Sequence, residues 1–224
     1  IHIGNDYKVA TATTRFPWAE RGDGRALDAA AMTTLRKTLS IGYWNGSGGL
    51  YGTRGQVREA KRQVKRALAG KVDRLQFVDD RLIGLMAKFS TPFRLMTGWD
   101  ISKTLTVLNP VYNLMKGVPT ATTLSTAYWR KRAAPLAEPD PDRDGCGLLW
   151  CSPVVPSTGK DVLAATLLAA KIVLKHGFEP QMSLSLATER SSICVTTISY
   201  DRHVAGEDAR ALACYKALTV ALLD

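Results

Sequence analysis

The stretch PQMSLSLATERSSICVTTISY, residues 180–200, decides the fold class of this chain. Its first half, from Pro180 to Ala187, alternates between an apolar and a polar set of residues, namely Met182, Leu184 and Leu186 against Gln181, Ser183 and Ser185. A period of two is the period of a β-strand with two different faces. Thr188 to Ser191 then turns the chain, and Ile193 to Tyr200 returns. The stretch therefore predicts an antiparallel hairpin with one polar face.

Helical patterns flank this hairpin. The residues from Val162 to Lys175 form a mostly apolar pattern that predicts a helix buried on most sides, begun by a capping box at Thr158 and Asp161 and closed by Gly177. A strand is predicted before it, from Gly147 to Val155, and a last helix from Glu207 to Leu223. Strands joined by hairpins and helical crossovers indicate an α+β fold. The expected architecture is a ferredoxin-like antiparallel sheet covered by helices, with a helical insertion at about 80–145, in a single domain of residues 1–224.

The first half of the chain is harder to interpret. Ile41 to Gly52 is rich in glycine and aromatic residues and predicts a strand with a bulge. A helix is expected from Arg54 to Ala69, stopped at Gly70, and a strand from Asp73 to Val78. Further expectations are short helices at 80–89, 102–109 and 122–132, and an exposed linker at 134–144, where three prolines stand among acidic residues.

Composition and charge limit the classes of function. The 224 residues are 46% hydrophobic and 22% charged, which is typical of a globular protein, and the formal net charge is +10. Eight Lys or Arg fall between Arg54 and Arg74, and the six within the predicted helix lie on its outer face. No aromatic residue interleaves them, and no nucleotide-binding glycine motif is present. These features argue against a nucleic-acid partner, although a basic α+β module that binds nucleic acid or protein stays open as an alternative.

Cysteine usage and hydropathy bound the setting of the protein. Four cysteines accompany only three histidines without a zinc-site spacing, so we expect free thiols and no metal. No apolar run reaches the length of a membrane span. The expectation is a protein without a membrane partner, soluble in the cytoplasm or the periplasm.

Four segments, in this order, resemble the cap domain of the vanillyl-alcohol oxidase and p-cresol methylhydroxylase family of FAD-linked oxidases. They are IGYWNGSGGLYG (41–52), KGVPT (116–120) followed by AYWRK (127–131), GLLWCSPVVPSTG (147–159), and HGFEPQMSLSLATERS to TTISYDR (176–202). Each motif is weak alone, and their order and spacing carry the resemblance. The resemblance implies an FAD enzyme, of the 4-cresol dehydrogenase or vanillyl-alcohol oxidase type, that oxidises the benzylic carbon of 4-alkylphenols. The implied route is hydride transfer to flavin through a quinone methide.

The family pattern, transferred residue by residue, suggests a substrate site and a cofactor contact. Trp150, Ser183 and Cys194 match positions that line the phenol pocket. Leu148 falls where family members carry the His or Tyr that bonds the flavin, and leucine has no nucleophilic atom. The resemblance therefore implies non-covalent FAD. Tyr200 and Arg202 invite assignment as the family's phenolate-binding pair, but their position predicts a strand end and a turn, so no catalytic residue is expected here.

The resemblance also implies what accompanies this chain. The family's FAD-binding domain and C-terminal tail have no counterpart, so we expect a domain-sized piece of a longer enzyme that is not competent alone. Its expected partners are a small phenolic substrate, its own FAD-binding domain, a second copy in a homodimer, and either a cytochrome c or oxygen as electron acceptor. A cap from a related flavoprotein that acts on a different alcohol is a further alternative.

Overall fold

The computed structural model describes residues 1–21, 24–88 and 112–223 of the chain. They divide into two compact units, one comprising Ile1–Ser47 and Ala121–Asp224, the other Gly48–Thr120. The second unit overlaps the helical insertion expected at about 80–145, but it begins earlier and ends earlier. The description of the whole chain as one domain stays a prediction. None of the helices described has the length and hydropathy of a membrane span.

The first unit is built on a six-stranded antiparallel sheet, counted over the described residues. Five strands follow the order β2-β1-β5-β6-β3, and β4 pairs with β6 beside β3. Their bounds are His2–Asn5 (β1), Trp44–Ser47 (β2), Cys146–Cys151 (β3), Val154–Pro156 (β4), Gln181–Leu186 (β5) and Ser191–Asp201 (β6). The predicted hairpin is β5 and β6, with Leu184 opposite Cys194. The α+β fold with an antiparallel sheet is confirmed.

Two long helices cover one face of this sheet. They are α5, Gly159–Lys175, and α6, Glu207–Leu223, and they pack on side chains that alternate along β5 and β6. Met182, Ile198 and Tyr200 belong to this core, together with Val173 and Leu218 of the helices. The strand period explains this arrangement, since every second residue meets the helices. We call this side of the sheet the α5–α6 face.

A shorter helix and a turn of 3₁₀ helix lie over part of the opposite face. They are α1, Asp6–Thr13, and the segment Ala121–Thr126. The Thr11 hydroxyl lies 3.1 Å from Gln181 Oε1, and the Ser199 hydroxyl donates to the Thr126 carbonyl at 3.1 Å. Helix α2, Ala29–Leu39, extends this layer and adds a second small core with α1. We call this side of the sheet the α1 face. Its strand residues include Leu148, Trp150, Gln181, Ser183, Thr197 and Ser199.

The second unit contains the predicted basic helix. Helix α3 spans Arg54–Leu68 and begins with a complete capping box between Thr53 and Gln56. Gly70 follows with a φ of 68°, a left-handed conformation that suits a glycine after a helix end. Helix α4, Asp80–Lys88, also belongs to this unit. The charged face of α3 is solvent-exposed, as its pattern predicts.

Several expectations were wrong. Residues 73–78 are irregular rather than a strand, and residues 122–132 form 3₁₀ helix and turns rather than an α-helix. Helix α5 is not buried on most sides, because the sheet covers only one side of it and Leu167 is 61% exposed. The expected helix at 102–109 lies outside the described residues. The strand-helix order within β3, α5, β5, β6 and α6 is β-α-β-β-α, and the ferredoxin-like name stays a prediction.

Candidate functional site

Strand pairing brings three of the four predicted site residues to one face of the sheet. Trp150 of β3 pairs with Thr197 of β6, and Thr197 pairs with Gln181 of β5. Ser183 lies two residues after Gln181 in β5 and so on the same face. Leu148 precedes Trp150 by two residues in β3. Residues that pair directly share a face, as do residues two apart in a strand. Leu148, Trp150 and Ser183 therefore all lie on the α1 face.

The apolar members of this group are open to solvent. Trp150 is 60% exposed and Leu148 is 38% exposed. An exposed tryptophan near the end of an edge strand, as Trp150 is in β3, offers a flat apolar surface to a ligand or to another domain. The α1 face therefore carries an exposed aromatic side chain, Trp150, beside the part of the face that helix α1 covers.

The polar members of the group are buried hydroxyls. Ser183 is only 6% exposed and Thr197 only 1%. Among residues 1–21, 24–88 and 112–223, the Thr197 hydroxyl has no hydrogen-bond partner, and none is found for the Ser183 hydroxyl. Buried polar groups are normally paired, and an unpaired one costs about 1–3 kcal/mol. A hydroxyl without a partner on this face would gain a hydrogen bond from a polar ligand atom that reaches it.

The fourth predicted residue does not join this group. Cys194 pairs with Leu184 and lies on the α5–α6 face, 5% exposed. It borders a crevice between the sheet and α5, with Met182 and Ala169, that is too narrow to admit a water molecule. Burial raises the pKa of the Cys194 thiol, as expected of a thiol packed in a core. The structure separates Cys194 from Trp150 and Ser183 by the thickness of the sheet.

Sequence reasoning missed Lys8, which also lies on the α1 face. A Cβ atom built on Gly4 would lie 3.4 Å from Lys8 Cγ, and Gly4 pairs with Ser183. Burial lowers the pKa of Lys8, since desolvation disfavours the charged ammonium. Lys8 ends the segment IGNDYK, residues 3–8. That segment shows no clear period in the sequence, because a four-residue strand is followed at once by a helix.

The AYWRK motif has a structural role. Arg130 forms a fully buried ion pair with Glu179, at 2.9 Å, and Trp129 Nε1 donates to the same carboxylate at 2.9 Å. Lys131 pairs with Asp201 at 2.7 Å, also in a buried position. Three segments that carry the family resemblance, AYWRK, HGFEP and SYDR, are thus joined by buried charges.

Tyr200 lies at the end of a strand and Arg202 in the turn that follows it. Tyr200 belongs to the core of the α5–α6 face, and Arg202 follows β6, with its guanidinium 3.9 Å from Asp208. The prediction of a strand end and a turn is confirmed. His203 lies in that turn, 2.9 Å from Lys131 Nζ, and His176 caps the end of α5. All four cysteines are free and buried, as predicted.

A known protein is similar to this chain in sequence. No family model matches the chain. It is 36% identical over 217 residues to 1'-carboxy-chondrochloren decarboxylase of Chondromyces crocatus, covering 96% of this chain but only 40% of that protein. The chain therefore spans well under half the length of this curated relative.

Two solved structures share the architecture. One is 4-ethylphenol oxidase from Gulosibacter chungangensis in an isoeugenol complex, with a TM-score of 0.74, 18% identity, and 98% of this chain matched to 36% of that one. The other is p-cresol methylhydroxylase with substrate bound, with a TM-score of 0.64, 19% identity, and 97% of this chain matched to 36% of that one. The resemblance predicted from four motifs is confirmed at the level of the fold. The chain therefore shares its fold with the matched third of these two enzymes.

Proposed function

We propose that this chain forms the substrate-binding cap of an FAD-dependent phenol oxidoreductase. The parent enzyme acts on the benzylic carbon of 4-alkylphenols through a quinone methide. Its own FAD-binding domain faces the cap, and the phenol lies between the two. The chain alone does not complete the reaction.

The arrangement of the α1 face carries this proposal. Trp150 is exposed near the end of the edge strand β3, and the buried hydroxyl of Thr197, the residue that pairs with it, has no hydrogen-bond partner among the described residues. A phenol needs a flat apolar contact for its ring and a few polar contacts for orientation. This face offers both within one or two strand spacings, roughly 5–10 Å.

Each residue of the face has a distinct part in the proposal. Trp150 packs on the phenol ring and excludes water from one side of it. Ser183 and Thr197 orient the substrate through their hydroxyls, which gain a partner in doing so. Cys194 is left out of the pocket, because it lies on the α5–α6 face. Substrate contact by Cys194 would need a second site on that side of the sheet.

The face also fits a non-covalent FAD contact. Bound FAD supplies the acceptor for the hydride that leaves the benzylic carbon. Leu148 offers an exposed apolar side chain and no nucleophile. The nearest thiol in β3 on the same face is Cys146, and burial raises its pKa to about 11, so it is protonated and unreactive near neutral pH.

Decarboxylation is a second candidate for the reaction of the parent enzyme. A relative with 36% identity over 96% of this chain is named a decarboxylase of a carboxylated compound. The two candidates share a cap and differ in the group that leaves the substrate side chain. Product analysis separates them, because only the second releases carbon dioxide.

Anaerobic flavin reduction tests the proposal. The full-length parent, mixed with a 4-alkylphenol without oxygen, should lose the visible absorbance of oxidised flavin. Trp150→Ala should weaken phenol binding about tenfold, while Trp44→Ala, which removes an exposed tryptophan from β2, should not. A parent without flavin, or a flavin that no phenol reduces, would refute the proposed function.

Acid precipitation tests the type of flavin attachment. A flavin held without a covalent bond should appear in the supernatant after precipitation. Flavin that stays with the precipitated protein would contradict the interpretation of Leu148. The electron acceptor, cytochrome c or oxygen, the homodimer, and the lack of a nucleic-acid partner stay predictions.

A further inference from the structure

Lys8 lies on the α1 face without an acidic partner. Its stem passes over Gly4, which pairs with Ser183 across β1 and β5. No ion pair of Lys8 with an Asp or Glu is found among residues 1–21, 24–88 and 112–223. The acid nearest in sequence, Asp6, is engaged by Arg36 at 2.6 Å. The Lys8 ammonium is therefore a positive charge on this face that no side chain described here neutralises.

Burial makes this charge costly. Desolvation lowers the pKa of Lys8, and no carboxylate offsets that effect. His2 adds a second basic group, because it pairs with Ser185 and so shares the face. Burial lowers the pKa of His2 first, and the positive charge of Lys8 lowers it further. An anion placed beside these groups would be stabilised by the positive charge of Lys8.

The unpaired Thr197 hydroxyl is a second, independent sign of a ligand on this face. It is 1% exposed and has no hydrogen-bond partner in the part of the chain that the structure describes. The strand order β1-β5-β6-β3 places Gly4, Ser183, Thr197 and Trp150 on successive strands of one face. Strands β1 and β3 are three strand spacings apart, roughly 14 Å. The Lys8 side chain lies over Gly4 of β1 and takes up part of that distance. That length suits an aromatic ring with a short side chain.

We propose that Lys8 binds a carboxylate at the end of the substrate's para side chain while Trp150 contacts the phenol ring. This rests on the proposed function and narrows its substrate class to phenols with an anionic side chain. Ser183 and Thr197 lie between the two ends and contact the polar atoms of the substrate there. Lys8 acts as a binding residue, not as an acid or base.

A matched pair of substrates tests this proposal in the full-length flavoprotein. One is 4-propylphenol, and the other is 3-(4-hydroxyphenyl)propanoate, which has a carboxylate in place of the terminal methyl group. The dissociation constant of each is read from the concentration dependence of anaerobic flavin reduction. Lys8→Met keeps the length of the stem and removes the charge, and Lys8→Arg keeps the charge. Lys160→Met, on exposed helix α5 at the opposite face, is the control.

The expected result is a selective loss. Lys8→Met should weaken binding of the carboxylate substrate by roughly 10- to 100-fold, the range for a lost hydrogen bond to a charged group. It should change binding of 4-propylphenol by no more than about twofold, because that substrate has no partner for the ammonium. Lys8→Arg should retain most of the affinity for the carboxylate, and Lys160→Met should match the wild type.

Other results would overturn the proposal in distinguishable ways. Equal weakening of both substrates by Lys8→Met would assign Lys8 to the structure or to contact with another domain. No preference of the wild type for the carboxylate would remove the proposed substrate class and leave the phenol oxidoreductase intact. Failure of both substrates to reduce the flavin would refute the proposed function itself.

Discussion

Replacing Glu179 by Gln should destabilise the first unit strongly. The Glu179 carboxylate is fully buried and accepts four hydrogen bonds, of 2.9 Å from Trp129 Nε1, 2.9 and 3.1 Å from Arg130, and 3.2 Å from the Leu27 N–H. Gln keeps the shape of the side chain but has no charge. Its amide nitrogen is a donor and would face the N–H groups that now donate to the carboxylate. The Arg130 guanidinium then remains buried without a counter-charge.

The size of the effect follows from this burial. Removing one partner of a buried ion pair costs about 3–5 kcal/mol. For a chain of this size 1 kcal/mol changes the melting temperature by about 2–4 °C, so Glu179→Gln should lower it by roughly 6–20 °C. Arg130 also donates to the Gly24 and Gly177 carbonyls, which keeps part of its hydrogen bonding in the variant.

Thermal unfolding of the 224-residue chain, followed by circular dichroism, measures this change. Glu59→Gln is the control, because Glu59 pairs with Arg62 on the exposed surface of α3 and solvent screens that pair. The control should melt at the temperature of the wild type. If Glu179→Gln also melts within error of the wild type, the buried ion pair does not hold the AYWRK and HGFEP segments together.

Three further results are expected. Burial opposes ionisation of Asp201, but hydrogen bonds from the Arg132 N–H and the Lys131 ammonium outweigh it and hold the pKa of Asp201 below its usual 3.8. The contribution of Asp201 to stability is therefore complete above pH 3.8 and is lost as pH falls through the lower pKa of the folded state. The difference in unfolding free energy between wild type and Asp201→Asn, measured by urea unfolding, should therefore narrow below about pH 4. A gap that stays constant from pH 7 to pH 3 would contradict this. The four buried thiols should react with a disulfide reagent far more slowly in the native chain than in the unfolded one, and fast native labelling would show that a thiol is accessible. Gly147→Ala should cost about 1–3 kcal/mol because its Cβ would lie 2.3 Å from the Tyr200 ring, whereas Gly159→Ala, which meets open space, should not destabilise the chain in the same melt.

Local patterns predicted the elements of the second half of the chain. The hairpin, α6 and most of α5 were found because their periods are regular over six residues or more. Strand β1 and helix α1 were missed, since four residues of strand followed by a helix rich in Thr and Ala present no clear period. Residues 73–78 alternate in sequence but form no strand, because alternation alone supplies no neighbouring strand to pair with.

The candidate site was predictable only in part for a related reason. The alternation along β5 separated Ser183 from Met182 and Leu184 correctly. Strand β6 carries apolar or small residues on both faces, so the sequence did not indicate on which face Cys194 lies. The pairing register with β5 decides that, and it places Cys194 on the α5–α6 face.

The sequence by itself determined the α+β class, the hairpin, and the separation of Ser183 from the apolar residues of its strand, because these depend on the local period of the backbone. Only the tertiary structure decided that helices α5 and α6 cover one face, that Trp150 and Ser183 both lie on the other, and that Lys8 lies over that same face. Those outcomes depend on which strands become neighbours across more than a hundred residues of chain, and strand order is a property of the packed sheet rather than of any one segment.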